Sequence, residues 1–119
     1  MANGTYQGHS DVPVQIPGLS GIENIGANVY SVFASNGADE FWAWGNNNSG
    51  ELGDGTRNTT NVPIRVQQLN GVQFVTGGLY TSYALTSDGR FWSWGENGLG
   101  QLGNGTTADS YVPQEVPAF

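Results

Sequence analysis

Lysine and cysteine are absent from the 119-residue sequence, histidine and methionine occur once each, and positive charge rests on Arg57, Arg65 and Arg90 alone. Ten acidic residues leave a formal net charge of −7. A nucleic-acid surface neutralises phosphates with clustered Lys and Arg, so direct binding of DNA or RNA is not expected. An anionic membrane surface is disfavoured for the same reason. No run approaches the roughly eighteen apolar residues of a membrane span. Without cysteine there is neither a disulfide nor thiolate chemistry, which leaves the compartment unknown. The opening MANGTYQGHS lacks a basic segment followed by an apolar one, so no signal peptide is expected in it.

Helix-forming composition is scarce as well. Charged residues make up 11%, while glycine accounts for 19 positions and aromatics for 12%. Long helices draw on Ala, Leu, Glu, Lys and Arg. Short strands joined by Gly- and Asn-rich turns suit this composition better.

Catalytic constellations are missing too. His9 is the one imidazole and sits in a polar lead segment, where it reads as a solvated surface residue. Asp39-Glu40 are adjacent, so strand geometry would send them to opposite faces, and the second copy of the motif has Gly89-Arg90 there. Glu51, Asp54, Gln101 and Asn104 lie in Asn/Gly-rich loops without the spacing of a calcium loop, and turn chemistry accounts for them. No catalytic residue, cofactor or metal is expected. Asn3, Asn47, Asn58 and Asn104 open glycosylation acceptor triplets, which matter only in a eukaryotic secretory pathway.

What is present is a repeat. FWAWGNNNSGELGDGT, Phe41 to Thr56, returns fifty residues later as FWSWGENGLGQLGNGT, identical at ten of sixteen positions. The Val-Pro pairs at Val12, Val62 and Val112 keep the same period. Such a period signals a propeller or a related array. Each unit reads as four strands: IENIGA or VQFVTG, then VYSVFAS or LYTSYALT, then EFWAWG or RFWSWG, then VPIRV or VPQEV. Asn36-Gly37 and Ser87-Asp88-Gly89 suit hairpin turns. Proline in the fourth strand removes a ladder donor and belongs at a sheet edge.

The expected fold is therefore all-β, with β-propeller blades of four antiparallel strands and two blades in the chain. The expected organisation is a lead segment over 1–21 carrying a surplus outer strand (Val12 to Ile16), blade one over 22–66, a linker turn over 67–71 and blade two over 72–119. Trp42 and Trp44 share one face of their strand, as do Trp92 and Trp94, with Phe41, Ala43, Phe91 and Ser93 opposite. A strand apolar on both faces must be covered on both, so the paired tryptophans are expected between stacked blades. Gly45, Gly50, Gly53 and Gly55 are expected to take backbone angles that other residues resist, and Gly95 and Gly103 are motif positions of the second copy. Leu52 and Leu102 would anchor each loop in the core.

These residues, above all GGLYTSYALTSDGRFWSWGENGLGQLGNGT, resemble the repeat of the regulator of chromosome condensation family, including its tubulin-suppressor-like members. The resemblance runs from about Asp11 to Val116 and implies closed propellers, usually of about seven blades. It implies protein binding rather than catalysis. Here two blades are present, and Tyr30 and Tyr80 stand where the family commonly has His.

Two blades alone leave two apolar sides, more than a soluble monomer normally exposes. The expected partner is therefore the chain itself, in a ring of two-blade copies, or another protein, with neither nucleic acid nor membrane involved. The function expected is a self-assembling, protein-binding scaffold. The alternatives are a purely structural unit, natural or engineered, or fragment of a longer propeller, and a carbohydrate-binding propeller. No residue pattern names the binding site.

Overall fold

The computed structural model describes Pro13 and residues 15–116. Eight strands follow in order: β1 Ile22–Ala27, β2 Ser31–Asn36, β3 Phe41–Gly45, β4 Thr60–Arg65, β5 Val72–Gly77, β6 Thr81–Thr86, β7 Phe91–Gly95 and β8 Ser110–Glu115. They form two four-stranded antiparallel sheets, ordered β1-β2-β3-β4 and β5-β6-β7-β8. No helix occurs among the described residues, and thus none long and apolar enough to cross a membrane. The all-β, two-blade architecture stands as the repeat implied.

Hairpin chemistry sets the sheet order. The turns after β2 and β6 carry the Asn36-Gly37 and Ser87-Asp88-Gly89 sequences. Gly89 has φ 83° there, and Asp39 takes φ 63° at the matching place, the one non-glycine among the described residues with positive φ. Pro63 and Pro113 lie in β4 and β8, the outer edges of their sheets, where a missing ladder donor is tolerated. A register shift at Ile22/Asn24, repeated at Val72/Phe74, bulges the inner strands. The extra residue turns Val72 and Val75 to the same side of β5 although they are three apart.

The core lies between the sheets. Phe33, Phe41, Ala43 and Leu52 of the first blade meet Val72, Val75, Ala84 and Trp94 of the second, closed off by Val66 and Leu69. Phe33 and Phe41 stack with ring centroids 5.8 Å apart. Trp94 meets both edge-on, at 6.0 and 6.3 Å, the geometry that ring quadrupoles favour. Its indole Nε1–H donates to the Glu51 carbonyl at 2.7 Å.

Two expectations need correction. β2 and β6 begin two residues later than the sequence suggests, because Val29-Tyr30 and Leu79-Tyr80 belong to the preceding loops. The surplus outer strand is not seen in the described part of its span: Pro13, Gln15 and Ile16 are outside any strand, while Val12 and Val14 lie outside the described residues. Ile16 and Leu19 instead pack with Ile22 against Trp42, Trp44 and Ala34, on the side of blade one turned away from blade two. Only the second blade's tryptophans therefore enter the joint between the two blades.

Trp94 is fully buried and sits at the centre of that joint. Trp94→Ala should lower unfolding free energy by about 3–5 kcal/mol, read from urea unfolding curves. Trp94→Phe, which keeps an aromatic ring but loses the donor, should cost less than the alanine variant.

Candidate protein-binding surfaces

The motif residues are structural. Gly45 and Gly95 end β3 and β7 at φ 115° and 104°. Leu52 and Leu102 are buried under the loops that follow. Gly53 lets its loop lie on the indole, since a Cβ there would stand 2.9 Å from Trp94 Nε1; Gly103 repeats the backbone conformation at φ 70°. Trp42, Trp44 and Trp94 are buried, and Trp92 is half-buried with its Nε1–H donating to Thr86 Oγ1 at 3.1 Å. The indole faces are thus largely occupied by protein, unlike the open platforms on which sugars stack.

Each loop is held by an asparagine whose role sequence reasoning missed. Asn47 Nδ2 donates to the carbonyls of Thr56 and Asn58 at 3.0 and 3.2 Å, and its Oδ1 accepts from Leu52 N at 3.0 Å. Asn97 repeats this with Thr106, Ala108 and Leu102. Asn47 is fully buried, so its acceptor triplet is closed to glycosylation. Its place two residues after Trp-Gly in both copies was the available signal.

Glu51 is the unusual member of this group. Its main-chain carbonyl accepts from both Trp94 and Ser82. Its side chain is buried, with one carboxyl oxygen accepting from Ser49 N at 2.8 Å and the other without a partner. Burial pushes this carboxyl above the usual range, and the negative charge of Glu96 adds to the effect, against hydrogen bonds from the Glu51 and Ser49 backbone that lower it. Gln101 occupies the same place in blade two, where its Oε1 accepts from Leu99 N at 2.8 Å. Asp54 and Asn104 organise Thr56 and Thr106 in their turns. Glu40 pairs with Arg65 at 2.9 Å, and Asp39 stays exposed. His9, Asn3 and the rest of the lead segment through Val12 lie outside the described residues.

All three cations are engaged locally. Arg65 also lies over Trp42 at 5.8 Å, Arg57 lies over Tyr111 at 5.9 Å, and Arg90 sits beside Asp88 and Glu115. Asp88, held below the usual carboxylate range chiefly by the Thr86 hydroxyl, completes that turn. Among the described residues no group of three or more His, Cys, Asp or Glu is placed to hold a metal ion.

Three exposed apolar features remain, one of them formed by Phe74 and Leu85 on the outward side of blade two. The first is a ridge on the loop edge shared by the β1–β2 and β5–β6 connections. Tyr30 and Tyr80 stack with centroids 5.8 Å apart, flanked by Val29 and Leu79 at 59% and 56% exposure. Cross-blade bonds fix it: Val29 N donates to the Gly78 carbonyl at 3.0 Å, and Asn28 Nδ2 donates to Ser82 Oγ at 3.1 Å. The Tyr30 and Tyr80 carbonyls accept from Asn46 N and Glu96 N, which brings the Asn/Gly-rich loops to the same edge. The second feature is a recess of about 500 Å³ on the outward side of blade one, lined by residues including Ile16, Leu19, Ile25, Val32 and Trp44.

The model of the regulator of chromosome condensation (RCC1) repeat matches residues 39–85 and 88–119, and a second model of that repeat matches 72–101. This chain belongs to the RCC1 repeat family. Among solved structures it is similar to human WBSCR16, with TM-score 0.76 and 26% identity over 88% of this chain and 28% of that one. It is also similar to Prp20p of Saccharomyces cerevisiae, with TM-score 0.74 and 19% identity over 82% of this chain and 26% of that one. Yeast RCC1 (Prp20) in its complex with Kap60 gives TM-score 0.71 and 24% identity, covering 82% and 23% of the two chains. The chain thus spans about a quarter of the length of each of these structures. No curated protein matches it.

The buried carboxyl yields a pH prediction. A raised folded-state pKa means the folded protein binds the proton more tightly than the unfolded chain. Glu51 therefore costs stability above its folded pKa, and that cost disappears as pH falls through the folded value toward the unfolded one. Glu51→Gln should stabilise the protein by about 1 kcal/mol near neutral pH, with the advantage over the parent shrinking in acid. Thermal melts of both proteins across pH check this.

Proposed function

We propose that this chain is a non-catalytic, protein-binding scaffold whose two-blade units self-assemble into a propeller ring. The observation that carries the binding role is the Tyr30–Tyr80 ridge, an aromatic stack of exposed Tyr30 on half-buried Tyr80, on loops tied together by a hydrogen bond between blades. Aromatic anchors that are already ordered bring contact area at little entropic cost. Loops mounted on a rigid scaffold are where recognition usually resides.

The partner that suits this surface is a basic protein. Net charge −7, together with cations engaged in local pairs, sets up a field that attracts positive charge. The relatives agree in kind: Prp20p is described by its binding to Gsp1p and histones, and yeast RCC1 by its complex with Kap60. Purified core histones are a suitable probe. Retention is expected at low salt, and replacing both Tyr30 and Tyr80 with Ser should weaken it several-fold while leaving net charge and the circular dichroism of the fold unchanged. Calorimetric titration reads the difference. Equal binding by parent and variant would remove the ridge from the interface and leave charge alone responsible.

A further inference from the structure

The two outward sides of the blade pair are repeat-equivalent to the two surfaces that already meet within the chain. In the internal joint, the Phe33–Phe41 stack of blade one receives the edge of Trp94 from blade two. Fifty residues on, Tyr83 and Phe91 form the same stack on the outward side of blade two, with centroids 5.8 Å apart and planes 11° from parallel. The indole equivalent to Trp94 is Trp44, on the outward side of blade one. Trp94 Nε1 donates to the Glu51 carbonyl, whereas the Trp44 indole N–H makes no hydrogen bond among the described residues. The carbonyl equivalent to that of Glu51 belongs to Gln101, which already accepts from the Tyr83 hydroxyl at 2.7 Å and keeps a second lone pair.

Three polar positions of the internal joint turn apolar on the outward sides, while Phe33 and Ala43 give way to Tyr83 and Ser93. Asn24 and Ser35 donate to the Val72 carbonyl at 3.5 and 3.1 Å. Their equivalents are Phe74, 60% exposed, and Leu85, also exposed. Ser82 donates to the Glu51 carbonyl, and its equivalent is the exposed Val32. Solvent-facing strands gain nothing from such exchanges, while stable subunit interfaces are distinctly apolar. The inner strands also differ in size. A Cβ at Gly26 would run into the Val75 carbonyl. Thr76 stands at Gly26's place and Phe74 at Asn24's, so the outward side of β5 fits a wider gap. Ile25, larger than its equivalent Val75 and 76% exposed, faces out from the other side to fill it.

We propose that a second copy of this chain docks head to tail, its blade-two side on the blade-one side of the first. In that joint Trp44 meets the Tyr83 ring edge-on and donates to the Gln101 carbonyl of the second copy, sharing that acceptor with the Tyr83 hydroxyl as Trp94 and Ser82 share the Glu51 carbonyl. This rests on the self-assembly reading above and specifies its register. Because the two surfaces differ, the contact repeats from copy to copy, and a rotation per copy that divides a full turn closes it into a ring.

Two substitutions at exposed positions test it, one on each side: Ile25→Arg and Phe74→Glu. The parent should run in sedimentation velocity as a discrete multiple of the chain mass. Each variant alone should be a folded monomer with unchanged circular dichroism. An equimolar mixture should associate where neither variant alone does, since each variant keeps the one surface that the other has lost. A monomeric parent would overturn self-assembly altogether and assign both sides to further repeats of a longer polypeptide. An oligomeric parent whose Phe74→Glu variant still pairs with itself, or whose variants fail to combine, would overturn only the head-to-tail register.

Discussion

The hydrogen bond from the Trp94 indole to the Glu51 carbonyl is the constraint on which the two-blade arrangement turns. It joins a strand of one sheet to a loop of the other, and each party needs separate preparation. The loop must present a carbonyl at a fixed point, which Asn47 secures by binding three backbone groups along the segment. It must also come close to a flat ring, which Gly53 permits by having no side chain. The indole in turn is held edge-on by the Phe33–Phe41 stack. A neutral main-chain acceptor suits a buried joint because it brings no charge to be desolvated. The Glu51 side chain lies beside it with one oxygen unpartnered, a feature the joint does not require.

The period of the sequence made the fold legible. Two apolar faces on FWAWG and FWSWG, the turn dipeptides and the Val-Pro edge strands all agree with four strands per blade. The order of contact between blades was less legible. Alternation along β3 shows that Trp42 and Trp44 share a face, but it does not say which neighbour covers that face. In the structure it is Ile16 and Leu19 of the lead segment, packed without strand geometry.

The tyrosine ridge was hidden for a different reason. Val29-Tyr30 and Leu79-Tyr80 are apolar and follow apolar strands, so pattern alone extends β2 and β6 through them. What lifts them out is the pair of cross-blade bonds at Asn28 and Val29, which depends on a neighbour fifty residues away. Local pattern also misjudged Asn47: the triplet it opens suggests a surface acceptor, yet its amide is consumed in holding the loop together. In Glu51 and Gln101, equivalence of position concealed a difference in cost, because a buried carboxylate and a half-buried amide make the same first hydrogen bond and differ in what remains.

The differences between the repeats are informative because the shared positions already satisfy the blade's own needs. Across the internal joint the charge of Glu96 in blade two bears on the buried carboxyl of Glu51 in blade one, so this joint brings two acids together. In a head-to-tail joint between copies the corresponding neighbours are Gln101 and Asn46, both neutral. That joint would lack the mutual repulsion and the buried carboxylate, and it would exchange the Asn24 and Ser35 hydrogen bonds for contacts by Phe74 and Leu85. A chain that must stay together through covalent linkage tolerates a costly internal joint, since its blades meet at high effective concentration. A joint formed from separate molecules has no such help and must rely on its own contacts, which is where the larger and less polar residues of this repeat pair are found.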